Sequence, residues 1–379
     1  MVLLRTHNRR VSSLIVIVPA VASMPEADSI LRSKLPHFAQ KTEESEIFHI
    51  SASERCAVPE AAVLGLPPGS VNLSDGALTV ACLHAEPPAR SVHFQVNLLS
   101  CDLDGVVTRD LQRVTHGELE EVWKVAKRLE TSQLTLLPMS GTSIAGLVWE
   151  QGSLDLGMTS ASEMDQKNLR KSLPEGDGDV LLTRFIDDSV NLLTDLDFNK
   201  RRVDEGLPPL NLLWPWGHGF RSEMPNLPLR RGQVARFTSD SIRLGGLAWL
   251  CQYPHTVRES GRALLSLDPE ELLAARRVME PTVVILETVK VLRGHNRLEE
   301  AMWWIRQLDT VIEPWLRSEK GERHQITLLF PGDSLASPVG LGVHFDPQNR
   351  LTNHIPLDER ALEERLPSKP LWEIMHSLL

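Results

Sequence analysis

Apolar positions follow two alternating rhythms along the chain, short unbroken runs and stretches with helical spacing. Leu14-Ile15-Val16-Ile17-Val18, stopped by Pro19, consists only of β-branched residues and Leu, the pattern of a central strand buried on both faces. Over 92–99, Val92, Phe94, Val96 and Leu98 alternate with polar residues, which predicts a half-buried strand, and Asp102 to Gly105 supplies the turn after it. A helix is predicted from about Gly117, with Leu119, Val122, Trp123, Ala126 and Leu129 on one stripe and Glu118, Glu120 and Glu121 in its first turn. Another amphipathic stretch covers 180–193 through Leu181, Leu182, Phe185, Ile186 and Leu193.

The runs 210–214, 282–286 and 326–330 are short, apolar and bounded by Pro or Gly, as expected of strands covered on both faces. Residues 298–316 form a long helical stripe of Leu298, Met302, Ile305, Leu308, Ile312 and Trp315. This alternation predicts an α/β protein with a mostly parallel sheet and crossover helices. Ser/Gly/Thr-rich segments at 139–146 and 157–162, with the acidic turn 174–179, mark about 95–200 as a semi-independent unit. No internal repeat or low-complexity tract interrupts the pattern.

Composition narrows the classes. At 379 residues, with 42% hydrophobic and 24% charged, the chain has ordinary globular usage and length for two or three domains. Lys plus Arg is 40 against 50 acidic residues, and the net charge of −10 repels a phosphate backbone, so nucleic acid is not an expected partner. Cys56, Cys82, Cys101 and Cys251 show no CxxC spacing, which argues against a zinc ribbon or disulfide framework and for a reducing compartment. The N-terminus has two readings: Arg5, Arg9 and Arg10 before the apolar run and Ala20-Val21-Ala22 after it imitate an export signal over 1–22, whereas the run itself reads as a core strand of a cytoplasmic protein. No other run approaches the ~18 apolar residues that span a bilayer, so no membrane association is expected.

The segment from Asn199-Lys200-Arg201-Arg202 through Gly206-Leu207-Pro208-Pro209 to Trp214-Pro215-Trp216-Gly217-His218-Gly219 is long and specific. It resembles the run in archaeal-type 2,3-bisphosphoglycerate-independent phosphoglycerate mutases, of the alkaline phosphatase superfamily, in which an Asn, an Arg and a Gly lead to a Pro-containing turn and a strand ending in Trp-x-Trp-Gly-x-Gly. Shorter echoes follow the family's order: Leu64-Gly65-Leu66-Pro67-Pro68, Phe94-Gln95-Val96-Asn97, Gly246-Leu247-Ala248, Gly294-His295 and His344-Phe345-Asp346-Pro347. The resemblance implies an alkaline-phosphatase-like α/β core over 1–95 and 200–379, with helices on both faces of the sheet, and a smaller α+β lid or substrate domain inserted over 97–198. The implied reaction moves phosphate between positions 3 and 2 of glycerate through a phosphoserine held by two divalent metals.

The same resemblance locates the site residues and exposes substitutions. The nucleophile position falls on Cys56 and the next family Asp on Ala57; the first-strand metal ligand is replaced by Pro19-Ala20, and Val291 stands where an Asp would precede Gly294-His295. His295, His344 and Asp333 remain as metal-ligand candidates, for Mn or Mg, or for Zn through the softer set Cys56, His295 and His344. In the insert, Gly141–Gly146 and Ser160–Glu163 lack the family's Arg and His, and Gln95 replaces an Arg. The expectation is a phosphoglycerate mutase-like protein with an eroded site, holding a small phosphorylated substrate or serving as a binding protein with a protein partner or second copy, with no metal at all as one outcome. The other reading is an active mutase or phosphatase with a rearranged metal site using Cys56. Each residue also has a plainer role: Cys56 as a small buried group, Asp333 and His218 as turn residues, Trp214 and Trp216 as packing. Ligand sites in open α/β sheets lie outside strand carboxyl ends, which points to the ends carrying Pro19, Gly217, His295 and Asp333.

Overall fold

The protein is described here from a computed structural model, which covers residues 12–19, 35–39, 46–51, 57–257, 280–294, 297–316, 324–331, 340–345 and 368–379. The chain divides into two compact units, 1–72 with 224–379, and 73–223.

The first unit is built on an eight-stranded sheet. Its strands are β1 (Ser12–Ile17), β2 (Glu46–Ser51), β10 (Arg236–Ser239), β11 (His255–Val257), β12 (Thr282–Ile285), β13 (His324–Phe330), β14 (Gly340–Phe345) and β15 (Ser368–Pro370), in the order β11-β10-β12-β1-β13-β14-β2-β15. From β11 to β13 every pairing is parallel, and β1 sits between β12 and β13 with Leu14 opposite Thr282 and Ile326. The apolar run at 14–18 is therefore a central strand, and 282–286 lies in the same sheet. Every residue of β1 is buried, because a parallel strand presents both faces to the interior. β14 breaks the pattern by pairing antiparallel with both β13 and β2. Leu14, Val16, Val284, Ile326 and Leu328 face a core completed by α9 (Leu298–Leu316), whose Ile305, Leu308, Ile312 and Trp315 are the stripe expected from the sequence. Short helices α1 (Pro36–Ala39), α6 (Leu227–Arg231), α7 (Ile242–Leu250), α8 (Thr288–Gly294) and α10 (Leu371–Leu378), with a 3-10 helix at Pro59–Leu64, complete this unit.

The second unit carries an antiparallel sheet of β3 (Ser91–Cys101), β4 (Val107–Thr108), β5 (Leu134–Pro138), β6 (Ile144–Glu150) and β9 (Leu212–Gly219), with a separate small ribbon of β7 (Leu156–Gly157) and β8 (Glu175–Gly176). β3 pairs with both β6 and β9. This corrects the expectation for 210–214: the run is an antiparallel strand of the second sheet. It also moves the unit's edges outward from 97 and 198, because the strands read as flanking the insert pair with each other inside it. Val92, Phe94, Val96 and Leu98 join α3 (His116–Ala126) and α4 (Asp179–Thr194) in one core. The opposite face of β3 is covered as well, by α2 (Asp75–Cys82), whose Thr79 hydroxyl donates to Gln95 Oε1 at 3.0 Å. α5 (Asp197–Asp204) leads into β9.

Candidate functional site

The segment of strongest resemblance is held by an internal set of hydrogen bonds. Asn199, buried on α5, donates through Nδ2 to the carbonyls of Leu193 and Leu210 and accepts from the Leu210 amide at 2.7 Å, closing the chain across the Pro208-Pro209 turn. Arg202 is only 3% exposed. Its guanidinium donates to the carbonyls of Pro208, Gln112 and Leu111 and pairs with Glu118 at 3.3 Å. Glu118 in turn forms a capping box with Thr115 at the start of α3. Burial opposes the charge on Glu118, but the hydrogen bonds from Thr115 and Arg202 prevail and hold its carboxyl below the ordinary Glu range.

The Trp-x-Trp-Gly-x-Gly string is likewise structural in this unit. Trp214 is fully buried and donates to the Thr159 carbonyl at 2.9 Å, and Trp216 donates to Asn97 Oδ1 at 2.6 Å. Asn97 also accepts from Gln95 Nε2, so the residue replacing the family's Arg belongs to a Thr79–Gln95–Asn97–Trp216 polar chain. Gly217 has φ +62° and approaches Asp75 so closely that an added Cβ would lie 2.9 Å from the Asp75 Cβ, and one on Gly219 would lie 2.4 Å from Ser74 Oγ. His218 stacks on Phe94 with ring centroids 5.7 Å apart and meets the Leu154 carbonyl through Nε2 at 3.2 Å. Gly217 and His218 thus lie in the second sheet and not at a carboxyl end of the first. His93, on the covered face of β3, is buried; burial, aided by Arg221, pushes its pKa down to about 4, so it is a neutral core imidazole at pH 7.

In the first unit, the expected candidates Cys56, His295 and Asp333 lie outside the described residues. His344 is half-buried on β14, opposite Thr327, and its Nδ1 is 2.8 Å from Thr327 Oγ1. Pro19 follows the end of β1, whose backbone continues as the Val18 amide donates to the Leu329 carbonyl at 2.9 Å. Val291 is 46% exposed on α8. Neither residue carries a donor.

The polar groups at the carboxyl ends of β10 and β12 are ones that motif reading missed. Ser239 and Ile285 are opposite in the parallel register, so Asp240 and Glu287 leave adjacent strands close together. Asp240 Oδ1 accepts from the Glu287 amide at 2.7 Å, and Oδ2 accepts from the amide and hydroxyl of Thr288, which ties it to the start of α8. Nearby, Glu60 is 5% exposed; Oε1 accepts from Arg243 Nε at 2.8 Å, while Oε2 is enclosed with no hydrogen-bond partner. Arg243 Nη2 donates to the Ala57 carbonyl at 2.9 Å. Burial raises the Glu287 carboxyl above the ordinary Glu range; Lys290 pulls it down, Glu60 and Asp240 push it further up, and a Ser241 hydrogen bond lowers it. Burial raises Asp240 too, against its hydrogen bonds from Thr288 and Glu287. An acidic residue directly after an apolar strand run, as in Ile285-Leu286-Glu287, was the available signal for Glu287; Arg236-Phe237-Thr238-Ser239 before Asp240 offered none.

Among the described residues no three His, Cys, Asp or Glu side chains converge well enough to hold a metal ion, and no helix is long and apolar enough to cross a membrane. Asp240 spends both oxygens on the Glu287 amide and on the amide and hydroxyl of Thr288. The described donors therefore do not by themselves fit a two-metal cluster.

No family model matches the chain. The 2,3-bisphosphoglycerate-independent phosphoglycerate mutase of Methanothrix thermoacetophila is 25% identical over 205 residues, 54% of this chain and 50% of that protein. A Geobacter sulfurreducens protein described as a probable 2,3-bisphosphoglycerate-independent phosphoglycerate mutase is 23% identical over 172 residues, 44% of this chain and 43% of its own length. The chain thus matches about half the length of these curated relatives, or less. Among solved structures, the cofactor-independent phosphoglycerate mutase of Thermoplasma acidophilum aligns with TM-score 0.58 at 15% identity, over 96% of this chain and 98% of that one. The PH0037 protein of Pyrococcus horikoshii aligns with TM-score 0.64 at 14% identity, over 97% of each.

Proposed function

We propose that this chain, a divergent relative of the cofactor-independent phosphoglycerate mutases, is a phosphoglycerate mutase-like protein whose site has lost the two-metal chemistry of its relatives. The observation that carries this reading is the central strand β1. It occupies the middle of the parallel sheet, where strand ends build sites, and it runs into Pro19 where the resemblance implies a carboxylate ligand. Hard divalent ions want oxygen ligands, and a site short of them keeps extra waters and binds weakly. Val291 and the replacement of the family nucleophile by Cys56 point the same way. Loss of one metal of a pair removes both nucleophile activation and the clamp on phosphate oxygens. In the second unit the stretch from Gly141 to Gly146, the end of the β5–β6 turn and the start of β6, has no basic residue to grip a phosphate or carboxylate.

In this reading the protein keeps the mutase fold as a cytoplasmic binding or regulatory protein, its ligand a small phosphorylated molecule or a protein partner. A coupled assay of 3-phosphoglycerate to 2-phosphoglycerate conversion with Mn, Co, Mg and Zn tests it, run beside Cys56→Ala and His295→Ala. Conversion at background level with every metal is the expected result. Robust turnover abolished by either substitution would replace this reading with an active enzyme using Cys56 in a rearranged site.

A further inference from the structure

Among the described residues the second sheet ends on β5, and an edge strand ordinarily offers a row of unpaired N–H and C=O groups to another strand. The pairing with β6 fixes which groups those are. The Glu150 amide donates to the Gln133 carbonyl at 2.9 Å and the Met139 amide to the Ile144 carbonyl at 3.0 Å. In this antiparallel register the odd-numbered residues turn their backbone groups toward β6, and Leu134, Leu136 and Pro138 turn theirs outward. The outward row is closed group by group. Thr131 accepts the Leu134 amide on Oγ1 at 3.0 Å and donates its own amide to the Leu134 carbonyl at 3.0 Å. Glu130 Oε1 accepts the Leu136 amide at 2.9 Å, and Lys127 Nζ, from the 3-10 turn Lys127–Leu129 that follows α3, donates to the Leu136 carbonyl. Pro138 has no N–H to offer. Lys127 and Glu130 also pair with each other at 2.9 Å, so one ion pair covers both groups of Leu136.

Water would satisfy the same groups at an open edge, and a partly exposed ion pair adds little to stability. What the pair does add is exclusion of a neighbouring strand. We propose that Lys127 and Glu130 hold shut a self-association edge: with the pair in place β5 takes no further strand, and with it removed two copies of this chain join antiparallel through β5 about Leu136. The occupant follows from the register. A two-fold axis at Leu136 lets the two Leu136 residues exchange N–H and C=O in both directions. It also sets Leu134 of each copy opposite Pro138 of the other, where the Leu134 amide meets the Pro138 carbonyl. The Leu134 carbonyl, already bonded to the Thr131 amide, then faces the one residue that has no donor, so neither gap in the row is wasted. A second β5 is therefore its own complement, with four bonds across the join.

The test is sedimentation equilibrium of the full chain over a range of concentrations, with amide hydrogen exchange as the second readout. In the wild type the Leu136 amide should be equally protected at every concentration, because Glu130 holds it within one chain. In Lys127→Ala/Glu130→Ala the mass at high concentration should reach at least twice that of the wild type. The Leu136 amide of that variant should exchange fast when dilute and gain protection as the mass rises, while the amide of Val96 in β3 stays unchanged. Thr135 is exposed, and adding Thr135→Lys should return the mass to the wild-type value, since a lysine on an edge opposes a neighbouring strand. A double variant with the wild-type mass at every concentration, a rise in mass that leaves Leu136 exchange independent of concentration, or one that Thr135→Lys does not reverse would each overturn the proposal. If the double variant fails to fold, Lys127→Met, which keeps the side-chain stem and removes the donor to Leu136 and Glu130, decides alone by the same two readouts.

Discussion

Two regions of this protein invert the usual relation between motif and chemistry. The 199–219 segment carries the longest resemblance to a catalytic family, yet its polar groups are spent on backbone carbonyls and on each other: Asn199 on Leu193 and Leu210, Arg202 on Leu111, Gln112 and Pro208, Trp216 on Asn97. The carboxyl ends of β10 and β12 carry no motif, yet they gather Glu60, Asp240, Glu287 and Arg243, with one carboxylate oxygen left without a donor. A long shared string preserves what the fold needs.

If 199–219 is scaffold, its substitutions must act on stability. The largest effect is expected for Arg202→Ala, which strands the Glu118 charge and several carbonyls beneath a buried site; denaturant unfolding should register a loss of about 3–5 kcal/mol. Asn199→Ala removes one side chain that serves three backbone groups, and the same measurement should show a loss of about 1–3 kcal/mol. Gly217→Ala combines a left-handed backbone with a clash on Asp75 and should cost about 1–2 kcal/mol. The smallest effect is expected for Thr115→Ala, about 1 kcal/mol, through loss of the α3 cap. That variant also has a pH signature. Glu118 is held below its ordinary range, so its contribution is present above the unfolded Glu pKa and is lost as pH falls through the lower folded value. Thr115→Ala should shrink this acid-side loss, and thermal unfolding compared between neutral pH and pH below the ordinary Glu range would measure it. If any of the first three changes left stability untouched, the segment would have to be read as a ligand site held ready.

The fold was legible where one physical term dominates. Residues 14–18 are apolar without interruption, as suits a strand buried on both faces, and Ile305, Leu308, Ile312 and Trp315 of the 298–316 stripe are buried on α9. Legibility failed where partners decide. The run at 210–214 is as apolar as a parallel strand, but it pairs antiparallel with β3, and nothing local distinguishes the two pairings. Likewise the polar side of 92–99 reads as solvent-facing, whereas α2 covers it and Thr79 answers Gln95. The Asp240–Glu287 proximity depends on the register of strands distant in the chain, which periodicity does not encode.

The central claim, a retained mutase fold without the paired-metal donor set, is tested most directly by counting metal. The purified chain, loaded with Mn and dialysed to equilibrium, should retain no stoichiometric pair of ions, and Cys56→Ala, His295→Ala and His344→Ala should leave the metal content unchanged. A tightly held pair of ions per chain, lost in any of those variants, would contradict the account.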